Sequence, residues 1–214
     1  GSISAGGSIS QVQVNRQAGI TFASGLRSAM RLDPDTILVG EIRDHETAST
    51  AIQASLTGHL VLSSIHASHA VGPVFRLIDL GIEPFLVTSS LIGVLSQRLL
   101  RRVCQSCGQP RAGSYQEKTL YEQTLGETRE EFVYGVGCNE CAQTGYRGRV
   151  PAFELLTIDD NLRRLILEGA NSQTLHEMAE RSGLRTMVHD AMLKVQAGIT
   201  NPAEVMKEIL GLKV

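Results

Sequence analysis

The chain has 214 residues, enough for one or two domains, with 42% apolar residues, 4% aromatics and no Trp, so its core must be aliphatic. Its 20 basic and 22 acidic residues leave a net charge of -2, which gives no bulk electrostatic case for a nucleic-acid partner. No apolar run reaches the roughly 20 residues that span a bilayer, and no basic start followed by an apolar middle marks a signal peptide. The expected location is therefore cytoplasmic, with any membrane contact made through partners rather than by insertion.

Residues 1–10 repeat Gly-Ser-Ile-Ser and read as a linker or expression scar, or else a native flexible loop. Residues 11–15 alternate like a half-buried strand. A helix is predicted over 25–32, with Ser24 as its cap. Arg27 and Arg31 are four apart and share one face of it. Two solvated arginines are the ordinary reading. A planar guanidinium also suits phosphate oxygens.

Thr36–Val39 is an apolar run between Asp-Pro-Asp and Gly40-Glu41, predicted as a strand buried on both faces. Glu41 at its carboxyl end stands where open α/β sheets place their chemistry. A solvated acid at a strand tip is the plain alternative. Asp44 is placed to cap a helix over His45–Leu56, and Gly58 to end it. A second buried strand is expected over 59–65, bracketed by His59 and His66. A helix over 68–80 and a long helix over 82–100 follow.

All four cysteines lie in two C-x-x-C pairs, Cys104 with Cys107 and Cys138 with Cys141. Paired spacing of this kind closes a tetrahedron of thiolates around Zn²⁺. Disulfides are the alternative, disfavoured in a reducing compartment. Four protein ligands leave no open position, so the metal's role is structural. The polar insertion between the pairs, over 111–137, has room for short helices around Tyr115–Leu125. Pro151 then suggests an edge strand. Gly169, Gly183 and Gly198 punctuate a helical tail, in which Asn201-Pro202-Ala203-Glu204 has the cap, N1 proline and N3 acid of a helix start.

Several of these stretches occur in the order of a known family. Gly40-Glu41-Ile42-Arg43-Asp44 resembles a Walker B element with Gly in place of the usual Asp. Thr57-Gly58-His59 through His66 resembles a histidine box, and Gln97-Arg98-Leu99-Leu100-Arg101-Arg102 precedes the cysteines as it does there. The chain resembles the ATPases that power type II secretion and type IV pilus assembly, from about Gln11 to its end.

The resemblance implies a partial RecA-like P-loop α/β sheet with a four-cysteine insertion and a C-terminal helical subdomain. The implied division is 1–10 linker, 11–102 ATPase core, 103–145 metal module and 146–214 returning strand and helices. It also implies roles. Glu41 would orient the attacking water, Arg27 and Arg31 would lie near the nucleotide phosphates, His66 would sense the γ-phosphate, and His59 would share the nucleotide site with a structural role. ATP and Mg²⁺ are the implied cofactors, with Zn²⁺ structural. Gly40 offers no side chain to magnesium.

No G-x-x-x-x-G-K-[ST] loop occurs, and none of the lysines (Lys118, Lys194, Lys207, Lys213) follows a glycine. The chain therefore reads as the C-terminal part of a longer ATPase that binds ATP weakly, or not at all, by itself. The implied assembly is a homo-hexamer. It would work at the bacterial inner membrane with a membrane platform and the cytoplasmic domain of a secretion or pilus protein. Pseudopilus, pilus and DNA-uptake machinery share these motifs. The rival reading is a zinc-stabilised protein-docking module without catalysis; a nucleic-acid zinc domain lacks the basic, aromatic cluster it would need.

Overall fold

The computed structural model describes residues 9–67 and 69–212. Most of the linker read over 1–10, and Ser68 at the predicted start of a helix, lie outside them. The chain divides into two units, Gly1–Ile92 with Ile158–Leu175, and Gly93–Thr157 with His176–Val214.

In the first unit, 11–15 forms no strand; only an isolated bridge joins Asn15 and Ile20. Helix α1 (Phe22–Met30) starts earlier than expected, because Thr21 rather than Ser24 is its cap. Ser24 is the N3 partner, its hydroxyl accepting from the Thr21 amide. Strand β1 (Thr36–Val39) pairs in parallel with β2 (Leu60–Ser63). Between them runs α2 (His45–Leu56), capped by Asp44 Oδ1, which accepts from the Thr47 amide at 2.8 Å. The connection is a β-α-β crossover, the usual way to join parallel strands.

The two strands are covered on one face only. Ile37 and Val39 pack with Leu26, Ala51 and Ala54 against α1 and α2. Leu38 is 76% exposed, and Leu60 and Leu62 are exposed beside it. The expectation of burial on both faces is corrected: among the described residues no element covers that side. The unit continues with α3 (Gly72–Asp79), α4 (Pro84–Ser90) and α6 (Asp160–Leu167), whose Leu162 and Ile166 are buried.

The long helix predicted over 82–100 forms only in its first half, as α4, and breaks off where the second unit begins. Its latter half is β3 (Gly93–Val103), antiparallel to β6 (Tyr146–Thr157). The Leu156 carbonyl lies 3.0 Å from where a Gly93 Cβ would stand, so the ladder begins at a residue without a side chain. Pairing with a distant strand has overridden a helix-like spacing. A register shift sits between Arg101 and Val103: these two steps along β3 answer three along β6, from Arg149 to Tyr146, so the surplus residue is on β6. β6 pairs with β3 alone among the described strands, so the expected return to the main sheet is not seen. Pro151 opposite Leu99 fits a strand with one free edge.

Between these strands β4 (Gly108–Ala112), α5 (Tyr115–Leu125) and β5 (Glu131–Gly135) form a small αβ lobe. Its Tyr121 and Phe132 meet edge-on at 5.3 Å. They join Leu100, Ala152, Met187, Met192 and Val205 in one core. The last three belong to α8 (Met187–Gln196) and α9 (Pro202–Glu208), which follow α7 (Ser172–Arg181). Met187, Met192 and Met206 are buried filler.

Candidate functional site

The tips of β1 and β2 are tied together. The Ile42 amide donates to the Ser64 carbonyl at 3.0 Å, and the Ser64 hydroxyl donates to the Gly40 carbonyl at 2.7 Å. Gly40 packs closely: a Cβ there would stand 3.1 Å from the Phe22 ring of α1, which would have to give by a few tenths of an ångström. This stitching brings Glu41 and His66 to the same end of a parallel pair. Glu41 Oε2 accepts from Arg43 Nε at 2.5 Å and lies 3.7 Å from His66 Nε2. The glutamate side chain is 24% exposed and the histidine 86%, so this end of the strands is open.

Arg27 extends from α1 to Glu46 in the first turn of α2, at 2.8 Å. It thus reaches the segment that leaves Glu41, although an acid now holds its charge. Arg31 ends α1 and has no ion-pair partner among the described residues. His59 stands at the other end of the strand pair. Its Nδ1 is 3.0 Å from the Ala54 carbonyl and 3.3 Å from Thr57 Oγ1, closing the turn from α2 into β2. Glu41 and His66 are therefore brought together, and His59 is not with them. Ser64 went unread; a serine inside an apolar strand tip was its only signal.

The second candidate site is the cysteine cluster, whose four Sγ atoms lie within 4.8 Å of one another. Cys104 to Cys138 is 3.8 Å, Cys107 to Cys141 is 3.8 Å and Cys138 to Cys141 is 3.7 Å. These exceed by far the ~2.05 Å of a disulfide. They match the edge of about 3.8 Å that a tetrahedron has when its centre is ~2.3 Å from each sulfur. The cysteines fit a tetrahedral metal.

The backbone around the cysteines turns tightly. Ala142 (φ 49°), Gln143 (φ 63°) and Gly145 (φ 76°) are left-handed. The amides of Cys138 and Gly145, on either side of Cys141, each donate to its Sγ at 3.2 Å. Burial pushes the Cys107 thiol up to about 12. Burial acts likewise on Cys141, but the two amides together with the neighbouring Cys138 and Cys107 thiols outweigh it and bring that thiol down to about 6. A Cβ on Gly135 would run into the Gly145 carbonyl, so the end of β5 touches the knuckle backbone to backbone. Glu140 accepts from Ser106 at 2.7 Å and from Arg147 at 2.8 Å, joining the two cysteine hairpins.

Comparison with known proteins follows the same lines. The family profile described as "Type II/IV secretion system protein" matches residues 5–207. The chain belongs to this family. It is 46% identical over 201 residues to the type II secretion system ATPase E of Vibrio cholerae, covering 93% of this chain and 39% of that protein. It is 45% identical over 201 residues to the type IV pilus assembly ATPase PilB of Thermus thermophilus, covering 92% of this chain and 22% of that protein. The chain thus spans well under half the length of these relatives. Among solved structures, the pilus retraction motor PilT with bound ADP aligns at TM-score 0.59 and 27% identity, over 87% of this chain and 43% of that one. The ATPase DotB of Legionella pneumophila aligns at TM-score 0.61 and 24% identity, over 90% of this chain and 43% of that one, a likeness of fold alone. No helix among the described residues of this secretion-family chain is long and apolar enough to cross a membrane.

Proposed function

We propose that this chain is the Walker B and histidine-box part of a motor ATPase that drives pilus or pseudopilus assembly and type II secretion. The observation that carries the reading is the convergence of Glu41 and His66, 3.7 Å apart at the carboxyl ends of a parallel strand pair. A carboxylate there can align a water for in-line attack on a γ-phosphate, and an imidazole can report loss of that phosphate. Arg27 and Arg31 would supply charge to the phosphates once Arg27 leaves Glu46. His59 would act on the nucleotide only indirectly, through the turn it closes. Magnesium and ATP would be held largely by residues beyond this chain, since Gly40 brings no ligand.

In this reading β1 and β2 are two strands of a larger RecA-like sheet, and the exposed Leu38, Leu60 and Leu62 face its remaining layer; parallel sheets are ordinarily covered on both sides. Residues 11–102 would be the core, 103–145 the metal module, and 146–214 the returning strand and helical subdomain. The homo-hexamer, the membrane platform and the cytoplasmic partner domain belong to the same proposal, as does a cytoplasmic site beside the bacterial inner membrane. Cys104, Cys107, Cys138 and Cys141 would hold one Zn²⁺. Its part is structural, joining the two hairpins.

The test is steady-state ATP hydrolysis by the full-length protein with and without Glu41→Gln. A loss of at least about 100-fold in kcat, with ATP still bound, is expected for removal of a water-orienting group. Unchanged turnover would leave the docking-module reading in its place.

A further inference from the structure

The second unit contains a polar chain that the sequence does not announce and that leads to the cysteines. It begins at Glu204 on α9, whose side chain is 1% exposed. That carboxylate accepts from the Arg101 amide at 2.9 Å, from Arg101 Nε at 2.9 and 3.0 Å, and from its Nη2 at 2.6 Å. The Arg101 guanidinium lies 3.9 Å above the Tyr146 ring. The Tyr146 hydroxyl in turn accepts from Asn201 Nδ2 at 2.9 Å, and Asn201 is the cap of α9. The loop before α9 closes the circle: Thr200 Oγ1 donates to the Arg101 carbonyl at 2.9 Å, and the Val103 amide donates to Ile199 at 2.9 Å.

These contacts hold both arms of the module. Arg101 and Val103 are on the arm entering it, and Tyr146 is on the arm leaving it. One peptide further, the Cys104 amide donates to the Gly145 carbonyl at 2.9 Å, and the Gly145 amide donates to Cys141 Sγ at 3.2 Å. An unbroken path therefore runs from the α9 carboxylate to a ligand sulfur. Arg101 and Arg149 are directly opposed across the ribbon, a repulsive pair that would splay the arms if Glu204 did not draw one of them aside.

We propose that Ile199–Glu204 is a clamp that sets the spacing of the two arms, so that retention of metal at the four cysteines depends on Glu204, Arg101 and Tyr146, none of which is a ligand. The proposal rests on the zinc reading above. Groups outside a ligand set tune affinity by holding the ligands in place. By linkage the effect is mutual: metal that fixes the arms also fastens the loop before α9.

The experiment follows zinc release from the purified chain to a chromophoric chelator. Glu204→Gln and Tyr146→Leu cut the path at its start and middle. Val205→Ala loosens α9 in the same core without touching the path. Both path variants are expected to release zinc about 3- to 10-fold faster than the parent, below the full effect of losing a direct ligand support. Val205→Ala, even with an equal drop in Tm, is expected to release it at the parental rate. If Val205→Ala is as fast as the path variants, or the path variants match the parent, the clamp is overturned. If Glu204→Gln does not fold, Tyr146→Leu decides. A second arm needs no variant: stripping zinc should speed hydrogen exchange at the Val103 and Glu204 amides, and unchanged exchange there also overturns the clamp. A parent chain that holds no stoichiometric zinc sinks the zinc reading itself, which the first metal assay separates from either outcome.

Discussion

The strand-tip site and the cysteine site are built on opposite plans. The cysteine cluster is complete within its own unit: all four thiols, the amides that face Cys141 and the buried Glu204 carboxylate paired with Arg101 are present. The strand-tip site is an open set of side chains. Its histidine is almost fully exposed, its glutamate is held by Arg43, and Arg27 is held by Glu46. Closed geometry suits a structural metal, which needs only permanence. An open carboxylate with provisional partners suits chemistry on a substrate brought from outside, because each partner can be exchanged for a phosphate or a water.

The contrast breaks most visibly with Cys104→Ser. Losing one of four ligands should cost the second unit at least ~5 kcal/mol if the metal supplies folding energy there. Hydrogen exchange in α5 and β5 should rise, and that in α2 should stay unchanged. Gly135→Ala comes next. The new methyl meets the Gly145 carbonyl, so a loss of about 3 kcal/mol or more is expected from overpacking of backbone on backbone, read as a lower urea midpoint.

Glu204→Gln should cost about 2–3 kcal/mol at pH 7. That is less than for a wholly buried pair, because the Arg101 side chain is 45% exposed. The pH dependence has a definite sign. Burial pushes the Glu204 carboxyl up, but the hydrogen bonds from Arg101 outweigh it and hold the group below the usual carboxylate range. Its contribution is full above the unfolded value of about 4.3 and is lost as pH falls through the lower folded value. The stability gap between parent and variant should therefore close on acidification below pH 4, and a gap independent of pH would contradict the charge assignment.

The first unit should respond more gently. Asp44→Ala removes the α2 cap for about 1 kcal/mol. Ser64→Ala removes one bond to the Gly40 carbonyl, also about 1 kcal/mol at most. In full-length protein Ser64→Ala should lower kcat with little change in KM, because it loosens where Glu41 and His66 meet rather than removing either.

Local signals were legible in the sequence, and distant ones were not. Helix α2 stands where Asp44 and Gly58 bound it, and α5 falls on the expected Tyr115–Leu125, because cap chemistry is contained within a few residues. The stretch that becomes β3 looks helical by itself, with Ser90, Gly93, Val94 and Gln97 at helical spacing. What makes it a strand is β6, far along the chain, and no local pattern reports such a partner. The four cysteines declared their cluster through spacing alone. Glu204 was legible as the third residue of a helix, where an acid needs no further reason, and its tie to Arg101 was hidden behind that ordinary role. His59 and His66 bracket the strand in the sequence already, and what pairing adds is that the His66 end is the one shared with Glu41.

The register shift between β3 and β6 bears on how this ribbon can be altered. Two steps along β3, from Arg101 to Val103, answer three along β6, from Arg149 to Tyr146, so the surplus residue is on the strand that leaves the cysteines. It acts as a spacer that brings Gly145 level with Cys104, whose amide donates to the Gly145 carbonyl. Anyone transplanting the cysteine knuckle onto another hairpin must carry that surplus residue along in the returning arm. A graft shortened by one residue there would slide Gly145 past Cys104 and pull the second pair of thiols out of line with the first.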